Sequence, residues 1–178
     1  FANLRLLFAY MMCMPGKKLI FQGGEIGQWN EWDSKRELEW FLLKFPYHSG
    51  LQRCVRELNH FYRHMKALWA DDFSFQGFEW LDFNDDRNSV ISYLRKVPNS
   101  PEALLVIHNF TPSYFEHYEL PARYIQRIEE LINTDDISFG GSGKVNMPVR
   151  YGYSLDGCVE KLILSLPPLA TVVYKVFW

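Results

Sequence analysis

The spacing of apolar residues changes twice along the chain. Leu4, Leu7, Phe8, Met11 and Met12 recur at helical spacing until Pro15-Gly16 stops them, which predicts a first helix. Leu19-Ile20-Phe21 follow with no polar alternation, the pattern of a strand buried on both faces. Gly23, Gly24 and Gly27 then allow a sharp turn where a Cβ would clash. Leu51, Val55, Leu58, Phe61, Tyr62, Met65 and Leu68 return to helical spacing after His48-Ser49-Gly50, with Arg53, Arg56, Glu57, Arg63 and Lys66 on a solvated face. A strand of this kind needs parallel neighbours, and none precedes it here. The helix–strand–helix unit therefore reads as part of a larger α/β layer.

Between Trp29 and Tyr47 the chain is polar and tryptophan-rich, and Ser34 with Glu37 has the spacing of a capping box for one or two turns over 36–43. Near Asp71 the texture changes to short β-branched and aromatic runs split by Asn, Asp, Gly and Pro. Strands are expected over 78–83, 89–97, 103–110, 114–120, 162–166 and 171–177, with a hairpin turn at 84–88. The run 103–110 is the most apolar and should be central, while Gly140 to Gly143 and Gly152 mark long loops. Tyr124, Ile125, Ile128, Leu131 and Ile132 fit an amphipathic helix better than a strand. Together these segments predict an antiparallel β-sandwich from residue 72 onward.

Composition adds bounds. The chain has 178 residues, 48% of them apolar, and a net charge of −2, which describes a globular chain with a sizeable core. That balance leaves no basic footprint for nucleic acid, and no apolar run approaches the roughly 18 residues of a membrane span. Cys13, Cys54 and Cys158 lack paired spacing and read as reduced, buried thiols of a cytosolic protein. Phe1 opens inside an apolar periodic stretch, as in a piece cut from a longer protein. The aromatic share of 17% suits both a β-sandwich core and surfaces that stack on sugar rings.

Catalytic and metal motifs are weak. His60 and His64 lie i, i+4 on one helix but lack the intervening Glu of the zincin arrangement, so they read as a surface pair. Gly140-Gly141-Ser142-Gly143 lacks the Lys-Ser/Thr of a phosphate loop, and there is no nucleophile elbow. No cofactor motif appears either.

Longer blocks carry a resemblance. Phe1-Ala2-Asn3-Leu4-Arg5-Leu6-Leu7, Pro15-Gly16-Lys17-Lys18-Leu19, Gly24-Glu25-Ile26-Gly27-Gln28-Trp29-Asn30-Glu31-Trp32 and His48-Ser49-Gly50-Leu51-Gln52-Arg53 are similar to the C-terminal third of bacterial 1,4-α-glucan branching enzymes, of the α-amylase superfamily. So are Gly77-Phe78-Glu79-Trp80-Leu81-Asp82, His108-Asn109-Phe110-Thr111-Pro112, Leu131-Ile132-Asn133-Thr134-Asp135, Gly140 to Gly143 and Leu166-Pro167-Pro168-Leu169-Ala170-Thr171. The blocks run in family order over the whole chain. They fit branching enzymes better than a debranching enzyme or a maltosyltransferase of the same superfamily.

The resemblance implies a mixed fold class, α/β plus all-β. Residues 1–71 would be the terminal αβα part of a (β/α)8 TIM barrel, and 72–178 the C-terminal antiparallel β-sandwich domain. It implies a strand over 124–132 against the helical spacing. It also implies a retaining double displacement on glycogen or another α-1,4-glucan, whose three catalytic carboxylates belong to barrel strands before Phe1. The chain would then be inactive alone, with the rest of the barrel as its partner. Glu25, Gln28, Trp29 and Trp32 would lie at the substrate rim. Glu25 could orient loops or bond a sugar hydroxyl, and the tryptophans could stack on pyranose rings or only pack the loop. A non-catalytic glucan-binding module is the alternative. Burial is worth about 25 cal/mol per Å², so removal of the barrel neighbours would cost on the order of 10 kcal/mol. On that reckoning, residues before Asp71 should be disordered or aggregation-prone by themselves.

Overall fold

Pairing starts at residue 78 and, among the described residues, is antiparallel throughout. The computed structural model describes residues 1–144 and 148–178. Two helices come first, α1 (Ala2–Cys13) and α2 (Pro46–His64). The strands are β1 (Phe78–Asp85), β2 (Val90–Lys96), β3 (Ala103–Asn109), β4 (Phe115–Pro121), β5 (Arg127–Asn133), β6 (Arg150–Tyr153), β7 (Val159–Leu166) and β8 (Ala170–Phe177). They form a five-stranded sheet in the order β1-β2-β3-β8-β5 and a three-stranded sheet in the order β4-β7-β6.

The large sheet lies between two apolar layers. On one face Tyr93, Val97, Leu104, Val106 and Val173 pack with Phe8, Met12, Leu51, Val55 and Leu58 of the helices. On the other, Leu94, Leu105, Ile107, Val172 and Tyr174 pack with Leu120, Leu162 and Leu164 of the small sheet. Every residue of β3 is consequently buried, which is why it carries the longest apolar run among the strands. The order of layers is helices, large sheet, small sheet.

Buried polar groups lock the helix layer to the sheet. Arg95 on β2 has no exposed surface. Its guanidinium bonds the Cys13 carbonyl at the end of α1 at 2.8 Å, Asp72 at 2.7 Å and the Gly77 carbonyl at 3.4 Å. Arg5 on α1 donates to the Thr134 carbonyl at 2.8 Å and faces Asp135 at 3.9 Å. Asp135 in turn accepts from the Ser142 amide at 2.8 Å and hydroxyl at 2.6 Å. The Asn133-Thr134-Asp135 and Gly140 to Gly143 blocks thus form one joint beneath α1. Gly50 packs α2 onto the same loop: a Cβ there would sit 2.6 Å from the Phe139 carbonyl oxygen.

Several expectations are corrected. Residues 19–21 are not a strand: Leu19 is 82% and Phe21 63% exposed, and no described strand lies beside them. An isolated extended segment has nothing to hydrogen-bond, so its apolar run alone cannot make it a strand. The capping box at Ser34 is not formed. Asp33 caps the local turn through the Lys35 amide at 2.9 Å, and the helical turn comes later, as a 3-10 segment over Trp40–Lys44. Helix α2 starts at Pro46, ahead of the predicted start, because proline suits the first helical turn. Strand β6 lies where a loop is expected, and part of that loop, 145–147, falls outside the described residues. Cys13 and Cys54 are buried as expected, but Cys158 is exposed because it sits on the β6–β7 turn.

The segment with helical spacing is a strand over Arg127–Asn133, paired to β8. Its register shifts between Glu130 and Ile132, so one residue bulges. The bulge turns Ile132 to the helix side while Ile128 faces the small sheet. Without it, two residues four apart would share a face.

Candidate functional site

Two left-handed glycines shape the loop after residues 19–21. Gly23 (φ +84°) and Gly27 (φ +63°) bracket a single 3-10 turn, Gly24–Ile26. The reversal folds Gln28 back so closely that a Cβ at Gly23 would lie 2.9 Å from its amide oxygen. Ile26, fully buried, anchors the turn, and its carbonyl is bonded to Nδ1 of His48 at 2.7 Å.

Downstream, Glu39 organises the tryptophan loop. Its carboxylate accepts from the amides of Trp29 (3.2 Å) and Asn30 (3.4 Å) and from the Asn30 side chain. The Glu39 amide donates to Oε1 of Gln28 at 3.2 Å, and Nε2 of Gln28 donates to the Asn30 carbonyl at 3.1 Å. Trp32 donates its indole N–H to Gln22 and meets Phe21 edge-on, with ring centroids 5.7 Å apart. Trp29 meets the edge of buried His48 at 5.4 Å but is 74% exposed.

These residues line an open groove of about 1070 Å³, to which Phe1, Leu4 and Phe21 also contribute beside Gln28, Trp29 and Trp32. The structure brings Gln28, Trp29 and Trp32 together and sets Glu25 apart. Glu25 lines a neighbouring groove of about 650 Å³ with Gln52, Arg56, Asn59 and His60. Exposed indole faces beside fixed amide groups make a surface suited to a ring with one apolar face and hydroxyls at its rim.

His48 and Glu39 were not singled out by sequence. His48 gave a signal in its position at the start of α2, whereas Glu39 is one of several charges in a polar loop. His60 and His64 are both exposed, and His64 Nδ1 is bonded to the His60 carbonyl at 2.7 Å. Among the described residues no group of three His, Cys, Asp or Glu side chains could hold a metal ion. Nor is any described helix long and apolar enough to cross a membrane.

The chain is 54% identical over 175 residues to the 1,4-alpha-glucan branching enzyme GlgB of Protochlamydia amoebophila, covering 98% of this chain and 24% of that protein. It is 46% identical over 177 residues to the enzyme of the same name from Aquifex aeolicus, covering 98% and 28%. The chain thus spans about a quarter of the length of the curated relatives it matches. Among solved structures it superposes on the alpha-amylase from H. orenii with a TM-score of 0.61 at 16% identity, covering 99% of this chain and 36% of that one. The isomaltulose synthase of Klebsiella sp. LX3 gives 0.59 at 18%, covering 99% and 38%. These two likenesses speak for the fold alone. The family model described as the alpha amylase C-terminal all-beta domain matches residues 80–177, more than half of the sequence, and the chain belongs to that family.

Proposed function

We propose that the chain is the C-terminal part of a 1,4-α-glucan branching enzyme. In this reading residues 1–71 complete a (β/α)8 barrel and 72–178 form the β domain behind it. The observation that carries the proposal is 54% identity to a branching enzyme over nearly the whole chain. The apolar surface left open at Leu7, Leu19 and Phe21 supports it, because a barrel neighbour would cover such side chains and give residues 19–21 the strand partners they lack.

The reaction cuts an α-1,4 bond, holds the freed chain on an aspartate and passes it to a 6-hydroxyl, with a glutamate as acid and then base. Those carboxylates sit on parts of the enzyme outside this chain, so no residue here is given a catalytic role. Gln28, Trp29 and Trp32 contribute glucan contacts at the barrel rim. Glu25, which lines the neighbouring groove with Arg56 and Asn59, orients the loop that carries them. The enzyme works in the cytoplasm on glycogen and needs no cofactor.

Electrophoresis through glycogen-loaded gels tests this on the full-length protein. Trp29→Ala and Trp32→Ala should each weaken retardation several-fold, in line with about 1 kcal/mol for a lost stacking contact. An iodine-stain assay should show branching by the full-length enzyme and none by residues 1–178 alone. Branching by the isolated chain would overturn the proposal.

A further inference from the structure

His48, the third residue of α2, is almost fully buried, and its ring joins three separate stretches of chain. Phe1 meets it edge-on at 4.7 Å, Trp29 edge-on at 5.4 Å and Phe45 at a tilt at 6.2 Å. Its Nδ1 lies 2.7 Å from the Ile26 carbonyl oxygen. A carbonyl only accepts, so Nδ1 carries the proton and donates it. The glycine turn passes close to the ring: a Cβ at Gly27 would sit 3.6 Å from Nδ1, 3.2 Å from Phe1 and 3.1 Å from Leu51.

Filling this space does not by itself call for histidine. Leucine would pack there but would leave the Ile26 carbonyl without its donor, and glutamine would offer a donor but no ring. Imidazole does both at once. It ties the turn to α2 by a hydrogen bond and gives Trp29 an aromatic ring to rest against. Trp29 is thereby held at two points. Glu39 accepts from its amide at 3.2 Å, and His48 meets its side chain. A T-shaped contact covers little of an indole, and this one stays largely exposed. Without that contact an exposed indole would exchange among rotamers and be ordered only when a ligand arrived, at a cost to affinity.

We infer that His48 is a positioning residue: it presets the Trp29 ring for stacking on a glucan chain. The inference rests on the proposed glucan function and assigns part of its affinity to a residue that, being buried, acts through Trp29 and not on the sugar.

Two variants of the full-length enzyme separate the two roles of the ring. His48→Asn keeps an amide N–H near the place of Nδ1, able to bond Ile26, and removes the aromatic ring. His48→Phe keeps a ring and removes the bond. His48→Asn should raise KM for amylose roughly two- to tenfold with kcat nearly unchanged, and melt close to the parent enzyme. His48→Phe should melt lower, because the Ile26 carbonyl is stranded, yet shift KM less. In a Trp29→Ala background, His48→Asn should add nothing to KM. A KM that follows melting temperature across both variants, or an equal rise with and without Trp29, overturns the inference. So does a parental KM in His48→Asn beside a raised one in Trp29→Ala, an outcome that leaves the glucan contact standing. If Trp29→Ala itself leaves KM unchanged, the contact and the inference fall together.

Discussion

Arg95, with no exposed surface, divides its guanidinium among Asp72, the end of α1 and Gly77. Loss of one partner from a buried pair costs about 3–5 kcal/mol, most of it from the stranded charge. Arg95→Met should therefore destabilise by that amount in urea titrations, and Asp72→Asn added to it should recover part of the loss. His108 is buried between Tyr93 (2.8 Å) and Thr171 (2.7 Å), and burial pushes its pKa down to about 3. Unfolded, it titrates near 6.5. Between these values the unfolded chain binds the extra proton. Stability is then full above about 6.5 and falls as pH drops toward 3. Asp85 adds to the acid loss. Burial raises its pKa, but bonds from Asn88 and Tyr118 outweigh that and hold it below the usual carboxylate range. His108→Gln should flatten the pH dependence between 6.5 and 3, read as urea midpoints. An equally steep acid limb in the variant would discount His108. None of this was legible in sequence, where Arg95 is one charge near a strand end and His108 one residue of a matching block.

At the scale of elements the alternating strands and the second helix were readable, since period 2 and period 3.6 report directly which faces are buried. What failed depended on partners. Residues 19–21 have the composition of a two-sided strand, but pairing is a property of neighbours. The 127–133 segment looked helical because its bulge puts Ile128 and Ile132 on opposite faces, a step invisible to any fixed period. In the candidate site the tryptophans announced themselves by type, whereas Glu39, which holds the Trp29 and Asn30 amides, did not. Gly50 offers a quantitative check. Glycine inside a helix costs about 1 kcal/mol against alanine, so Gly50→Ala should stabilise α2 on propensity alone. The 2.6 Å approach to the Phe139 carbonyl opposes this, and overpacking against backbone costs about 1–3 kcal/mol. We expect net destabilisation, seen as a lower melting temperature.

Across the whole molecule, the picture of two domains meeting near Asp71 hides a shared core. Phe8, Met12, Leu51, Val55 and Leu58 before that point pack directly on Tyr93, Leu104, Val106 and Val173 after it. The helices are thus less dependent on absent neighbours than the apolar run at 19–21 had implied. Hydrogen exchange should protect the amides of α1 and α2 nearly as well as those of β3. The stretch 14–45 should exchange fast, because Ile26 and Leu42 are its only buried apolar side chains among the described residues. The same packing predicts that the β domain does not stand alone. Starting the chain at residue 72 would bare one face of the large sheet. If about 400 Å² of apolar surface were left wet, at 25 cal/mol per Å² the loss would be on the order of 10 kcal/mol, comparable to the whole stability of such a domain. Residues 72–178 expressed alone should aggregate or bind a hydrophobic dye far more strongly than residues 1–178. A soluble, cooperatively melting 72–178 would show that the helix layer is an accessory to the sandwich and not half of its core.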